Sequence, residues 1–117
     1  MKVIALGLTT FCAIVMASPV TAACSTSDIH IKNWKWHVEH HYAITVGELT
    51  NGCSEPTGVQ LQLVFRDGSG DAVDSDEFWP ASTNNIAPGA SFVFKWVNEW
   101  NPTAKSATVA PISVRQW

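Results

Sequence analysis

Beyond its first two dozen residues, this chain has no apolar run of the ~20 residues that a membrane-spanning helix needs. No window shows a sustained helical period either, which argues against a helical bundle. Basic residues are scarce: seven Lys plus Arg stand against ten Asp plus Glu, with no basic stripe, so nucleic acid is not an expected partner. There is no Gly-x-Ser-x-Gly turn and no phosphate-cradling glycine loop ahead of a helix. The carboxylates cluster in one turn without an apolar setting that would raise a pKa. No enzymatic activity, catalytic residue or cofactor is therefore expected.

What is present begins with the pattern of an export leader. Lys2 is followed by an apolar run from Val3 to about Ala17 and then by small residues from Ser18 to Ala23. A charged start, a short apolar middle and a small-residue cleavage region form a secretory signal. Cleavage is expected after Ala22 or Ala23. Residues 1–23 are thus expected to be the signal peptide and residues 24–117 a single domain, secreted or periplasmic. Loss of Lys2 leaves six basic residues against ten acidic ones, a net charge of −4.

Of three cysteines, Cys12 falls in the leader, so the exported chain keeps Cys24 and Cys53. In an oxidising compartment two thiols in one small domain tend to pair. Two β-rich runs, Asp28–Val38 and Tyr42–Thr50, are separated by a polar break at Glu39–His41. A hairpin folded near residues 38–39 would place position i opposite 77 minus i, which sets Cys24 across from Cys53. Closing that loop stabilises a small fold by about 3.5 kcal/mol on the chain-entropy account. The alternative for Cys24 is a lipid-processing site at Thr-Ala-Ala-Cys, where Thr21 occupies the place such sites give to Leu.

Period-two alternation carries the rest. "GVQLQLVFRD" sets Val59, Leu61, Leu63 and Phe65 on one side and Gln60, Gln62 and Arg66 on the other. "DGSGD" supplies a reversal, and "AVDSDEFW" reads as an acidic edge strand. "SFVFKWV" puts Phe92, Phe94 and Trp96 on one face and Val93, Lys95 and Val97 on the other, and Pro111 points to an edge strand or a bulge. Six or seven short strands joined by Gly, Pro, Asn and Asp turns predict an all-β, immunoglobulin-like antiparallel β-sandwich. The expected inward set is Ile44, Val46, Leu49, Val59, Leu61, Leu63, Phe65, Ile86, Phe92, Phe94 and Val109.

Over about residues 42–97 the chain resembles the bacterial FxLYD domain. Gly47, Leu49, Asn51, Asp67, Gly70, Pro88, Gly89 and Phe94 occupy places that match its motifs, while "LVFRD" stands where Phe-x-Leu-Tyr-Asp would be and matches outright only at Asp67. The resemblance implies an immunoglobulin-like sandwich in an extracytoplasmic bacterial protein and carries no catalytic residue or shared ligand.

Three clusters are candidates for chemistry. "HVEHH" gathers His37, Glu39, His40 and His41 at the expected hairpin tip, where imidazoles could hold zinc or copper, or could simply be solvated. The acidic run from Asp67 lacks the glycine and glutamate of a calcium loop, because Ala72 and Phe78 stand at those positions. Of six tryptophans most are expected to fill the core, with Trp79 and Trp100 the two in stretches polar enough to meet a glycan. The leading expectation is a non-catalytic binding or assembly module with a protein or cell-envelope partner. The alternative is a small-ligand binder that takes a glycan on exposed tryptophan or a metal on the histidine loop.

Overall fold

The alternation is realised as six antiparallel strands in a computed structural model that describes residues 24–117. The expected signal peptide, residues 1–23, lies outside the described residues. The strands are β1 (Ile29–Glu39), β2 (Tyr42–Asn51), β3 (Gly58–Arg66), β4 (Ala72–Phe78), β5 (Ser91–Glu99) and β6 (Ser106–Arg115). A three-residue 3-10 turn, Thr26–Asp28, leads into β1. The first sheet has the order β1-β2-β5 and the second β4-β3-β6, so β2 and β3 are the central strands of a two-layer sandwich.

Core formation is simplest in β3. Val59, Leu61, Leu63 and Phe65 are at most 2% exposed, and the residues between them face outward half-covered. The chain alternates cleanly because one face of an antiparallel sheet packs and the other meets water. β6 pairs with β3 in two registers separated by a bulge at Ile112, the residue after Pro111, so the strand is both an edge and bulged. β4 is the acidic edge on the other side.

The first sheet is less regular. In β1 the alternation slips at Asn33, whose φ of 55° marks a left-handed residue, and the register shifts between Lys32 and Lys35. That extra residue flips the parity of the strand. Ile29 and Ile31 before it and Trp36 after it therefore all pack on the core. Trp36 meets Phe65 of the second sheet edge-on, with ring centroids 5.1 Å apart.

Two sequence-based expectations need correction here. The hairpin turns at His40–His41, and Glu39 pairs with Tyr42, so the register runs three to four residues later than the one inferred from a fold at 38–39. Ile44 and Val46 do not share the inward face with Leu49. The inward residues of β2 are Ala43, Thr45, Gly47, Leu49 and Asn51, while Ile44 lies buried on the outward side between its register partners His37 and Val97. The inner face is small because bulky neighbours fill it: a Cβ on Gly47 would stand 2.7 Å from both the Phe94 ring and the Cβ of Trp34. Phe92 and Val109 are half-buried against the core.

Candidate functional site

Cys24 and Cys53 form a disulfide, with Cα atoms 5.6 Å apart. The register that suggested the pairing was displaced, yet the cysteines still meet, because each lies just outside the open end of the β1–β2 hairpin. Asn51 organises that end. Its side chain is fully buried and accepts from the Cys53 N–H at 2.9 Å, while its amide donates to the carbonyls of Glu55 at 2.9 Å and Ile86 at 2.8 Å. A buried amide with its polar atoms paired in this way fixes the loop that presents Cys53. The Thr57 hydroxyl bonds the Glu55 carbonyl at 2.7 Å and lies 3.2 Å from the Cys24 Sγ.

At the closed end, His40 and His41 form the two-residue turn with φ of 48° and 69°. Positive φ at both central residues is the type I′ pattern, usually supplied by Asn-Gly. The Trp100 N–H donates to the His41 carbonyl at 3.0 Å and ties the turn to the end of β5. His37 does not join the other two histidines; its Nε2 lies 3.1 Å from Glu39 Oε2 on the exposed outer side of β1. Among the described residues, no group of three or more His, Cys, Asp or Glu side chains is placed to hold a metal ion.

The two tryptophans singled out as glycan candidates have different settings. Trp100 packs against the core, and its indole N–H is buried. Trp79 is half-buried and meets Trp117 edge-on at 5.2 Å. Trp117 is 43% exposed and carries the Arg115 guanidinium 4.1 Å from its ring centroid. Its backbone N–H donates to Asn85 Oδ1 at 3.0 Å, and its indole covers Gly58, where any Cβ would overlap it. The sequence reading passed over Trp117 and Arg115, and only their placement beside Trp79 makes them a cluster.

The largest feature the sequence reading missed is the outer face of the first sheet. Register aligns Tyr42, Ile44 and Val46 of β2 with Glu99, Val97 and Lys95 of β5, and Glu48 with Val93. Val93 is 75% exposed, Val97 47% and Tyr42 48%. Tyr42, Val46 and Val97, with the largely covered Ile44 between them, make a short apolar strip across two adjacent strands, bordered by Lys35, His37 and Glu99, and Lys95 separates Val97 from Val93 on the same face. The equivalent positions in the centre of the second sheet are Gln60, Gln62, Val64 and Arg66. The signal was in the sequence as Val93/Lys95/Val97 on one face of β5, but only the parity of β2 shows that Ile44 and Val46 join it.

The edge beside that strip, unpaired among the described residues, is also defined. Trp100 donates its N–H to His41, and Ala90 accepts from Asn51 at 3.0 Å, so even-numbered residues of β5 turn their backbone groups toward β2. The N–H and C=O groups of Ser91, Val93, Lys95, Val97 and Glu99 consequently point outward from the edge.

No family model matches this chain, and no curated protein matches it. Among solved structures, the crystal structure of a DUF1425 family member from Shewanella sp. pv-4 is similar, with a TM-score of 0.52 at 12% sequence identity over 76% of this chain and 78% of that chain. At that identity the likeness extends to the fold alone, that of a small β-domain.

Proposed function

We propose that this chain is a non-catalytic binding or assembly module that works outside the bacterial cytoplasm, with the outer face of the first sheet as its working surface. The observation that carries the reading is the apolar strip of Tyr42, Ile44, Val46 and Val97, with exposed Val93 beyond Lys95, on a sheet face that the protein's own core does not use. Apolar surface gathered into one patch marks interaction sites, whereas scattered exposed residues need no explanation. The disulfide suits an oxidising, extracytoplasmic setting, and no helix among the described residues is long and apolar enough to cross a membrane. An FxLYD-like identity belongs to the same proposal and rests on Gly47, Asn51, Asp67 and the Pro88-Gly89 turn.

Site-specific photo-crosslinking in the native cell tests this reading. A crosslinker at position 93 or 97 should give a discrete adduct, and one at position 62 on the second sheet should not. Equal yields from both faces, or none from either, would refute it. The Trp79–Trp117–Arg115 cluster favours a second reading, glycan binding on an exposed indole. A saturable shift in tryptophan emission with one class of sugar, abolished by Trp117→Ala, would support it.

A further inference from the structure

Four strands border the sandwich, and three of them carry a feature that blocks strand addition. β1 is bulged at Asn33, β6 contains Pro111 and a bulge, and β4 is a seven-residue strand bearing Asp74, Asp76 and Glu77. Bulges, proline and charge are the usual means by which a sheet edge is protected. β5 has neither bulge nor proline, and its two charged residues, Lys95 and Glu99, are of opposite sign. Its nine residues pair with β2 in one unbroken register from Ser91 to Glu99, without proline.

We propose that the free edge of β5 pairs antiparallel with β5 of a second copy of this chain, with Val97 on the two-fold axis. The proposal rests on the reading of the first sheet as the working surface and adds that its edge takes a second copy, which joins the outer faces of the two copies without covering them. A two-fold contact is isologous, so each residue i meets a residue j that in turn meets i. Side chains on one face require even values of i plus j, which restricts the choice of register. Centring on Lys95 would set two ammonium groups opposite one another, and like charges directly across a ladder destabilise it.

Centring on Val97 sets Lys95 opposite Glu99 of the second copy, twice by symmetry, with the two Val97 side chains between them. The backbone groups of residues 95, 97 and 99 already point outward, so this register forms about six N–H···O bonds without rearrangement. Ile44, the β2 neighbour of Val97, extends the apolar strip on both sides of the axis. The second sheet does not compete, because the carboxylates of β4 repel a second acidic edge. Asp74 and Asp76 lie opposite the inward residues Phe65 and Leu63, and Asp76 accepts from the Trp96 indole N–H at 2.7 Å.

Sedimentation equilibrium of the purified chain at about 0.3 mM tests the idea, since an edge contact of this size is expected to be weak. The unaltered chain should be dimeric and lose dimer as salt rises. Lys95→Glu and Glu99→Lys should each weaken the dimer at least tenfold, and the double variant should restore it. Both side chains are exposed, so unchanged thermal melting would show that the variants fold. A monomeric wild type, single variants as dimeric as the wild type, or a double variant that stays monomeric would each overturn the proposal. A monomer that still crosslinks from position 97 to another protein refutes the self-pairing alone; absence of any adduct from 93 and 97 refutes the binding face as well.

Discussion

The two sheets solve the same packing problem in opposite ways. In β3, the centre of the second sheet, large apolar residues point in and, Val64 apart, polar ones point out. In β2, the centre of the first, the inward residues are Ala, Thr, Gly, Leu and Asn, while Tyr42, Ile44 and Val46 point out. The inversion has a packing cause on one side only. Trp34 and Phe94 close over β2 from its neighbours, and Gly47 leaves them room. Nothing in the core requires an apolar outer face. A sheet that departs from the inside-out rule where packing does not demand it is the place to look for function.

The contrast is broken most severely in the second sheet. Leu63→Ala should cost about 4 kcal/mol, since Leu63 is fully buried between sheets and cannot be replaced by neighbours without leaving a cavity. Chemical denaturation would measure it. The same truncation at Val97 should change stability by less than about 0.5 kcal/mol, because an exposed side chain far from caps and cores contributes little to folding.

Removing the disulfide by Cys24→Ser with Cys53→Ser should cost about 3.5 kcal/mol on the loop-closure account. This change also sharpens the comparison. The clamp joins residues just outside the ends of β1 and β2 and so closes the open end of their hairpin. Amide hydrogen exchange should therefore lose protection in β1 and β2 before β3. Uniform loss across both sheets would mean that the sandwich opens as one unit.

Gly47→Ala should destabilise by about 2 kcal/mol, because the new methyl group would press on the Phe94 ring and the Trp34 Cβ, and overpacked cores must shift. Thermal melting would detect it, and a paired Phe94→Leu substitution should recover part of the loss by making space.

How far the sequence could be read follows the same division. β3 was legible residue by residue, since its alternation is unbroken and its turn to β4 is built from Asp and Gly. In that turn Asp67 Oδ1 accepts from the Ser69 N–H at 2.8 Å and the Asp71 N–H at 3.0 Å, and Gly70 takes a φ of 88°. The first sheet was legible in its members but not in its phase. A turn made of two histidines carries no turn signature, and a bulge at Asn33 shifts the register without any break in β character. The inward set was consequently wrong at Ile44 and Val46, the two positions that build the outer strip. The disulfide survived that slip because both cysteines lie outside the hairpin's ends, where a few residues of displacement still leave them close.

The turns give a smaller and opposite test. His40→Asn with His41→Gly should stabilise the chain by about 1 kcal/mol, since Gly accepts positive φ without steric cost and Asn visits the left-handed region readily. Equivalent redesign of the Asp67–Asp71 turn should gain nothing, as its backbone is already served by Asp67 and two glycines. If the histidine turn gains nothing either, the left-handed pair is not a weakness of the first sheet.

The smallest effect on stability is the most informative about function. Val93→Thr with Val97→Thr keeps the β-branched shape that suits a strand and removes only exposed methyl surface. Melting should stay within about 0.5 kcal/mol of the unaltered chain. If Val64→Thr on the outer face of the second sheet behaves identically in every assay, the two faces are equivalent and the inversion in β2 has no functional meaning. If the first pair alone abolishes adducts from a crosslinker at position 95, the apolar strip is retained for a contact and not for folding. The separation works because burial, not apolarity as such, sets the cost of a substitution: the same chemical change is costly at Val59, which is 2% exposed, and nearly free at Val93.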